Sequence, residues 1–343
     1  MSRQKKIGFV VVGLGSIAQS SVLPAFARCK RARLVALVSR DKNKARRLAA
    51  KYKASAHYAE SEYAACLANP DVDAVYVATP QGEHERFTVE AARAGRHVLC
   101  EKPLAATFEQ SARMVRACSE NRVLLMTAYR KFFEPGALYF KKLVREGKLG
   151  RVDVIHSGFS ELFKPQKSPP WLVNRALAGG GPLMDLGVYC VNTARWVLEE
   201  DPVEVSAHSW RNNKDCFREV EEGVSFRLRF PSGALMLGSS TYSAAPNSFI
   251  RVQGTKGWAS LSPAFDFAEE RRLTGKLQRR WVQRTFQVRD EFAPQLDAFA
   301  SAIQGDHTHF PDGEQGHRDM IILHSIYQSA ERGAPMKIEY GQY

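Results

Sequence analysis

Residues 7–18 read IGFVVVGLGSIA and decide the fold of the first part of the chain. The apolar run at 7–12 predicts a strand that is buried on both faces of a parallel sheet. Gly13, Gly15 and Ala18 follow at the spacing G-x-G-x-x-A. The first glycine permits a tight turn, the second lets the backbone approach a pyrophosphate, and the alanine lets the next helix pack near the strand. The stretch therefore predicts a dinucleotide-binding turn between a strand and a helix.

Strand-like and helix-like patterns alternate downstream of this turn. Parallel strands need a crossover between them, so the alternation predicts a doubly wound parallel sheet. We therefore assign residues 1–128 to an α/β domain of the Rossmann, dinucleotide-binding type. The strand-like runs are RLVALVSR at 33–40, VDAVYVATP at 72–80 and RHVLCEKP at 96–103, and the helix-like runs are DKNKARRLAAKYK at 41–53 and EHERFTVEAARAG at 83–95.

The pattern changes over residues 129–343. One helix is indicated by ALYFKKLVREGKLG at 137–150, and most of the strand-like runs after it have turn residues but no helix between them. That order predicts a second domain of the α+β class, built on a large, mainly antiparallel open sheet. Because the exposed face of such a sheet is usually covered, we expect a homodimer or homotetramer that forms through it.

The composition is that of an ordinary globular protein. The chain has 343 residues, of which 44% are hydrophobic and 25% charged, and this length suits two domains. No apolar run approaches the roughly 20 residues that span a bilayer, and no cleavage site follows the basic N-terminus. The six cysteines form no CxxC pair. These features predict a cytoplasmic protein with reduced thiols and no membrane partner.

The net charge of +13 is compatible with a nucleic acid, an anionic ligand or a basic surface. No nucleic-acid-binding motif accompanies the basic residues, so we expect no nucleic-acid partner. His307 and His309 in DHTHF are close enough together to resemble metal ligands, but this segment has the pattern of a loop. No metal is predicted.

The end of the second strand indicates which dinucleotide binds. An acidic residue there would hold the ribose hydroxyls of NAD, whereas this chain has Ser39 and Arg40. A hydroxyl and a guanidinium can both bind a 2′-phosphate, and Lys44 can assist from the start of the next helix. We therefore predict NADP. Two alternatives stay open: Arg40 is a solvated loop residue, or Asp41 points at the ribose and NAD binds.

Further cofactor contacts are expected at the first helix start, whose N–H groups suit phosphates, and at the carboxyl ends of the strands. His84 follows one of these strand ends. It either faces the nicotinamide or begins the helix, and the sequence leaves both roles open. The candidates beyond those already named are Ser16, Ile17, Thr79, Pro80, His84, Glu101 and Lys102.

Glu101 and Lys102 are charged residues at the end of a buried strand, where a charge is costly unless it is paired or used. Pro103 biases Lys102 towards an extended conformation. A lysine at this edge can stabilise an alkoxide or lower the pKa of a neighbouring acid. Glu101 would pair near Lys102 or hold the cofactor's ribose. The alternative is a surface ion pair at a helix entry.

A second candidate site lies in NRALAGGGPLMDLGVYCVNTARWVLEE at 174–200. Its three glycines and a proline predict a helix start, and the apolar residues after them predict a buried helix. Asp185, Tyr189 and Asn192 or Thr193 would share one face of that helix. A carboxylate and a phenol are costly to bury without a use, so this face is either functional or a satisfied structural network.

Four motifs together resemble the glucose-fructose oxidoreductase / inositol dehydrogenase / rhizopine-catabolism (Gfo/Idh/MocA) family of NAD(P)-dependent oxidoreductases. They are GLGSIA, EKP, GGGPLMDLGVY and GHRDMIILHSIYQSA, and the resemblance covers nearly the whole chain. Tyr189 stands where many members have histidine. In this respect the chain resembles the branch of the family that contains glucose-fructose oxidoreductase, dimeric dihydrodiol dehydrogenase and NADP-dependent xylose dehydrogenases. Phe132 and His317 depart from the pattern, at positions where a histidine and an apolar residue are expected.

The resemblance implies hydride transfer between NADP and a carbon of a sugar or polyol. In this family the lysine of EKP and the His or Tyr of the later motif flank the reacting carbon. Tyr189 would then be the general acid/base, Lys102 would assist it, and Asp185 would bind substrate hydroxyls or orient the pair. The candidates for substrate binding are Asp185, Arg130, Trp171 and Asn174.

Two other functions stay open. One is trans-dihydrodiol oxidation by the same Tyr/Lys pair, which an apolar wall containing Phe132, Phe133 and Phe163 would allow. The other is a regulator that senses NADP without catalysis. Such a regulator would be expected to lack the lysine or the acid/base residue, and this chain has both.

Overall fold

The structure, a computed structural model, describes residues 5–267, 269–306 and 310–341. His307 and His309 lie outside these residues. Among the residues that are described, no group of three or more His, Cys, Asp or Glu side chains is placed to hold a metal ion. No helix in the same part of the chain is long and apolar enough to cross a membrane.

The chain divides into two compact units. The first comprises the chain up to Phe132 together with Asp290–His317, and the second comprises Phe133–Arg289 and the described chain from Arg318 to Gly341. The boundary expected from the sequence, between residues 128 and 129, lies just before this division, and the expected second domain includes Asp290–His317.

Six parallel strands form the sheet of the first unit, in the order β3-β2-β1-β4-β5-β6. The strand order reverses between β1 and β4, the point at which ligands bind in doubly wound sheets. The predicted Rossmann sheet is thus confirmed. The strands are β1 Ile7–Val12, β2 Ala32–Ser39, β3 Ala56–Ala59, β4 Ala74–Val77, β5 His97–Cys100 and β6 Leu125–Thr127.

The helices of this unit connect the strands as the alternation predicted. After the glycine turn, a π-helical segment at Ala18–Val22 leads into the short α1. Four elements, β3, α3, α5 and β6, have no counterpart among the predicted runs. Three of them have only three to five residues and carry too little periodicity to be recognised, whereas α5 is a 13-residue helix that was missed. The helices are α1 Leu23–Ala25, α2 Lys42–Tyr52, α3 Tyr63–Leu67, α4 His84–Arg93 and α5 Phe108–Glu120.

Nine strands form the sheet of the second unit, in the order β14-β13-β12-β11-β7-β10-β9-β8-β15. All neighbouring strands are antiparallel except β7 and β10. The predicted α+β domain with a mainly antiparallel sheet is confirmed. The strands are β7 Val152–Leu162, β8 Glu204–Trp210, β9 Gly223–Arg229, β10 Leu235–Thr241, β11 Ser243–Gly254, β12 Gly257–Ser262, β13 Arg271–Leu277, β14 Arg280–Phe286 and β15 Met336–Lys337.

Strand β13 was not predicted from the sequence. Arg271 is buried, together with Leu273 and Gly275 on the same face of the strand. The Arg271 guanidinium donates to the backbone oxygens of Asp266 and Glu269. A buried arginine therefore takes a place that strand patterns normally give to an apolar residue, which hides the alternation.

One face of the nine-stranded sheet packs against α8, which is Val188–Leu198; the two helices before it are α6 Pro135–Arg145 and α7 Arg175–Ala178. Every residue of α8 except Leu198 is buried. Polar contacts fix the helix on its other side. Asn192 Nδ2 donates to Asp319 Oδ2 over 2.8 Å, and Arg195 Nη1 lies 2.6 Å from Asp319 Oδ1.

The segment Asp290–His317 joins the first unit through α9, Phe292–Ile303; α10 follows at Gly313–Arg332. Phe299 of α9 packs on Phe9 of β1 at 6.3 Å between ring centroids. The carboxylate of Asp297 accepts hydrogen bonds of 2.7–3.1 Å from three consecutive N–H groups at the start of β2, those of residues 30, 31 and 32.

Replacement of Asp297 by alanine should destabilise the first unit by about 2 kcal/mol, because three backbone donors lose a charged acceptor. Urea denaturation of the Asp297→Ala variant measures this change. Asp306→Ala removes an exposed carboxylate from the same segment and serves as the control, for which the free energy of unfolding should stay unchanged. Equal stabilities of the two variants would contradict the anchoring role.

Candidate active site

The turn after β1 is held tightly against the end of β4. Gly13 has a φ of +88°, and a Cβ there would lie 2.5 Å from the backbone oxygen of Ala78. Gly15 differs, because no atom lies within 4 Å of the position of its Cβ. Ser16 is exposed and Ile17 half-buried beside it. The turn thus offers an open backbone surface above Gly15, which fits the pyrophosphate of a dinucleotide.

The polar groups at the end of β2 have distinct roles. Asp41 caps α2, since its Oδ1 accepts a hydrogen bond of 2.9 Å from the Lys44 N–H. Ser39 Oγ accepts from the Asp41 N–H over 3.2 Å. Arg40 is exposed, and no described residue forms an ion pair or hydrogen bond with its guanidinium. The carboxylate at this strand end is therefore engaged by the helix, whereas the guanidinium is available to a ligand.

Thr79 and Pro80 follow β4, and His84 is the first residue of α4. Thr79 Oγ1 is buried and has no hydrogen-bond partner among the described residues, so it can accept or donate to a ligand. His84 is buried, with Nε2 2.9 Å from Thr79 O and Nδ1 3.1 Å from Leu104 O. Burial lowers the pKa of this imidazole, and its hydrogen bonds to backbone oxygens oppose that shift. Of the two roles left open by the sequence, the one at the helix start agrees with these contacts.

Glu101 and Lys102 follow β5 directly. Glu101 Oε1 accepts a hydrogen bond of 2.7 Å from the Tyr76 hydroxyl, and its Oε2 accepts one of 3.3 Å from the Lys102 N–H. Burial raises the pKa of Glu101, although the Tyr76 hydrogen bond and the Lys102 charge oppose this shift. The carboxylate is therefore fixed from within the sheet, which the sequence pattern did not reveal.

Arg130, a candidate for substrate binding, has a partner in the interior of the first unit. It is buried, and its guanidinium pairs with the carboxylate of Glu291, to which Lys131 Nζ also lies close at 2.9 Å. Burial alone would raise the pKa of Glu291, but the two cations lower it. A buried charge must be paired, so Arg130 contributes to the interior of the first unit. Its role in substrate binding stays a prediction.

In the second unit, Asp185 and Tyr189 lie on either side of the start of α8. Asp185 belongs to a π-helical segment, Leu183–Gly187, and its Oδ2 accepts a hydrogen bond of 2.9 Å from the Tyr242 hydroxyl. The Tyr189 ring stacks on Phe265 at 5.6 Å and meets Phe159 edge-on at 5.9 Å. The phenol therefore has aromatic walls.

The glycines before Asp185 are needed for close packing as well as for a helix start. A Cβ at Gly180 would lie 2.0 Å from the Tyr327 hydroxyl, and one at Gly181 would lie 2.3 Å from the backbone oxygen of Glu221. The Glu221 carboxylate accepts hydrogen bonds from the N–H groups of Gly181 and Leu183 and from Tyr327, each within 3.0 Å. Glu221 thus anchors the segment that carries Asp185, and its place far along the chain gave no signal.

Trp171 and Asn174 belong to a short segment before α7. Asn174 Oδ1 accepts a hydrogen bond of 3.0 Å from the Leu177 N–H, so this side chain caps α7. Trp171 is half-buried. A cavity of about 440 Å³ borders the segment and is largely apolar, lined by Phe163, Pro165, Pro170, Val173, Asn213, Asp215 and Cys216.

Two family descriptions match the chain. Residues 7–129 match "Oxidoreductase family, NAD-binding Rossmann fold", and residues 137–260 match "GFO/IDH/MocA C-terminal domain". The two matches together cover most of both units, including EKP and the Asp185–Tyr189 segment.

Proteins of known activity are similar to this chain. D-xylose 1-dehydrogenase [NADP(+)] of Haloarcula marismortui is 30% identical over 336 residues, which cover 97% of this chain and 93% of the relative. The crystal structure of aldose-aldose oxidoreductase from Caulobacter crescentus with glycerol has a TM-score of 0.92 and 36% identity, and the match covers 97% of this chain and 100% of that one. Trans-1,2-dihydrobenzene-1,2-diol dehydrogenase of Bos taurus is 29% identical over 256 residues, which cover 74% of this chain and 73% of the relative.

Alanine at the two glycines of the β1 turn should affect two different properties, stability at residue 13 and dinucleotide binding at residue 15. Gly13→Ala should lower the free energy of unfolding by about 2 kcal/mol or more, because of the positive φ and the contact with Ala78. Gly15→Ala should leave stability unchanged and weaken dinucleotide binding about tenfold or more, since its methyl group enters the open surface. Denaturation without cofactor and fluorescence titration with NADPH measure the two effects. Destabilisation by Gly15→Ala would contradict the reading of this surface.

Proposed function

The chain belongs to the Gfo/Idh/MocA family of NAD-binding oxidoreductases, and we propose that it transfers a hydride between NADP and a carbon of a sugar or polyol. Two of the relatives with nearly full-length matches are a xylose dehydrogenase and an aldose-aldose oxidoreductase. The retained Lys102 and Tyr189 support catalysis over a regulator that only senses the cofactor.

The choice of NADP rests on the end of β2. Asp41 Oδ1 is engaged in capping α2, which disfavours the alternative that this carboxylate holds the ribose of NAD. Arg40 is exposed at the same strand end and suits a 2′-phosphate, with Ser39 as a second donor. The relative from Haloarcula marismortui is named as NADP(+)-dependent.

The cofactor would be held by this chain's strand ends and glycine turn. The backbone around Gly15 would bind the pyrophosphate, and Thr79 and Pro80 would border the dinucleotide. Glu101 would accept hydrogen bonds from ribose hydroxyls. When bound, the nicotinamide supplies the acceptor or donor of the hydride.

The proton is assigned to Tyr189. Its phenolate would take the proton of the substrate hydroxyl during oxidation, and the resulting phenol would return that proton during reduction. Lys102 is assigned the assisting role, in which its positive charge would favour the anionic form of the reacting oxygen. Asp185, fixed by Tyr242, would accept hydrogen bonds from substrate hydroxyls. This assignment follows the family motifs, since the two catalytic groups belong to different units.

A second candidate substrate class is a trans-dihydrodiol. The rings of Phe159 and Phe265 around Tyr189 form an apolar wall that would suit a cyclohexadiene ring as well as the apolar face of a sugar. The relative from Bos taurus has this activity by name. Both classes use the same Tyr/Lys chemistry, so turnover separates them.

A second copy of the chain is the proposed partner. Three large apolar side chains of the nine-stranded sheet are exposed, those of Leu162, Leu237 and Trp281. The register of the strands places all three on the same face of the sheet. Exposed apolar residues on a broad sheet are typical of a surface that is covered in an oligomer.

The catalytic assignment predicts that Lys102→Ala and Tyr189→Phe each lower kcat/KM at least about a hundredfold, because each loses a group that acts on the reacting oxygen. Absorbance at 340 nm with NADP, across aldoses, inositols and trans-dihydrodiols, measures turnover. Tyr63→Phe and Lys42→Ala are matched controls. In the unaltered protein the Tyr63 hydroxyl donates to Phe87 O, and the Lys42 ammonium pairs with Glu62. Full activity of Tyr189→Phe would refute its acid/base role.

The cofactor assignment predicts that Arg40→Ala raises the Kd of NADP about tenfold or more and leaves that of NAD unchanged, since the guanidinium contacts only the 2′-phosphate. Isothermal titration with both dinucleotides measures the two constants. Lys42→Ala, which removes a neighbouring positive charge, should change neither by more than about twofold. Tighter binding of NAD than of NADP by the unaltered protein would overturn the assignment.

A further inference from the structure

A series of hydrogen-bonded polar side chains lies near the carboxyl ends of β4 and β5. Tyr76 and Gln295 are both fully buried. Gln295 Nε2 lies 3.4 Å from the Tyr76 hydroxyl oxygen, which in turn lies 2.7 Å from Glu101 Oε1. An ionised carboxylate only accepts hydrogen bonds, so Tyr76 donates to Glu101 and accepts from the amide of Gln295. The chain of contacts thus has one direction and ends at the carboxylate.

The tyrosine hydroxyl is unexpected at this position. Residues at the centre of a buried parallel strand are normally apolar, and a phenylalanine would bury the same ring without a polar atom. Burying a hydroxyl costs free energy unless it makes a hydrogen bond. Tyr76 makes this bond to a residue at the strand edge where the ligand is proposed to bind, which indicates that its hydroxyl serves Glu101.

The other groups that face Glu101 are identifiable. The Lys102 N–H donates to its second oxygen, and the Lys102 and Arg130 charges favour its ionised form. Arg130 is itself paired with Glu291 in the interior. Burial raises the pKa of the carboxyl, and the hydrogen bond from Tyr76 is the largest of the opposing effects.

We propose that Tyr76 is a positioning residue which, with Gln295 behind it, fixes the Glu101 carboxylate as an acceptor for hydroxyl groups of the dinucleotide. The inference rests on the proposed function in one respect, the assignment of Glu101 to the cofactor. It adds a residue that has no contact with the ligand and acts through Glu101. A fixed carboxylate loses less conformational freedom when it binds a hydroxyl, so the pair binds more tightly.

Fluorescence titration with NADPH tests the proposal without a substrate. Tyr76→Phe should raise the Kd about tenfold. Tyr63→Phe is the matched control, because Tyr63 is also a buried tyrosine of the first unit and donates to the Phe87 oxygen over 3.0 Å. Its Kd should stay within about twofold of the unaltered protein. Equal Kd values for the two variants overturn the proposal. Circular dichroism establishes that each variant is folded, and Gln295→Met, which should weaken binding in the same direction, replaces Tyr76→Phe if the latter does not fold.

A double-mutant cycle separates positioning from a general structural effect. Glu101→Ala should weaken NADPH binding by itself, and Tyr76→Phe should add nothing further in that background. If Tyr76→Phe weakens binding equally in both backgrounds, Tyr76 does not act through Glu101 and the proposal fails. If Glu101→Ala leaves the Kd unchanged, Glu101 does not bind the cofactor and the proposal fails at its premise. Failure of the unaltered protein to bind any dinucleotide refutes the proposed function itself.

The pH dependence supplies a second readout. Glu101 accepts hydrogen bonds from hydroxyl groups more strongly when it is ionised, so binding weakens as the pH falls through its pKa. Loss of the Tyr76 hydroxyl removes an interaction that lowers this pKa, so the acid-side loss of NADPH binding should move to higher pH in Tyr76→Phe. The Tyr63→Phe profile should superimpose on that of the unaltered protein. Superimposable profiles for all three proteins contradict the proposal.

Discussion

The close backbone approach between Gly13 and Ala78 is the constraint on which the first unit's binding edge depends. It holds the turn after β1 against the end of β4, at the point where the order of the strands reverses. A side chain at residue 13 would push these elements apart. With the turn in place, Gly15 presents open backbone, and the ends of the neighbouring strands carry Arg40, Thr79 and Glu101 along the same edge.

In the second unit, a carboxylate holds the backbone that precedes the candidate catalytic residues. The segment before α8 begins with glycines that bring the backbone against Tyr327 and Glu221. Glu221 then accepts hydrogen bonds from two N–H groups at the start of the helical segment, in place of a local capping side chain. Asp185 and Tyr189 follow directly, so their positions depend on a residue from the loop before β9. In both units, the candidate functional residues therefore lie next to backbone that close contacts or hydrogen bonds hold in place.

Most elements with strong periodicity were predicted from the sequence, among them the run at β1, most of the alternation after it and most antiparallel strands of the second half. The 13-residue helix α5 was missed. Strand β3 was missed because it is short, and β13 because Arg271 occupies an inward position. The helical pattern of α8 did not indicate the partners of its residues, which are aromatic rings for Tyr189 and Asp319 for Asn192. Arg130 has the interior partner Glu291, which lies 161 residues further along the chain.

By itself, the sequence determined the two fold classes, the family resemblance and the residues at strand ends, because these depend on local periodicity and short motifs. The tertiary structure alone decided which groups support them: Tyr76 and Gln295 for Glu101, Tyr242 for Asp185, and the capping role of Asp41. The physical reason is that a pattern of apolar and polar residues reports whether a side chain is buried. It does not report its hydrogen-bond partner, which in most of these cases comes from a distant segment brought near only by folding.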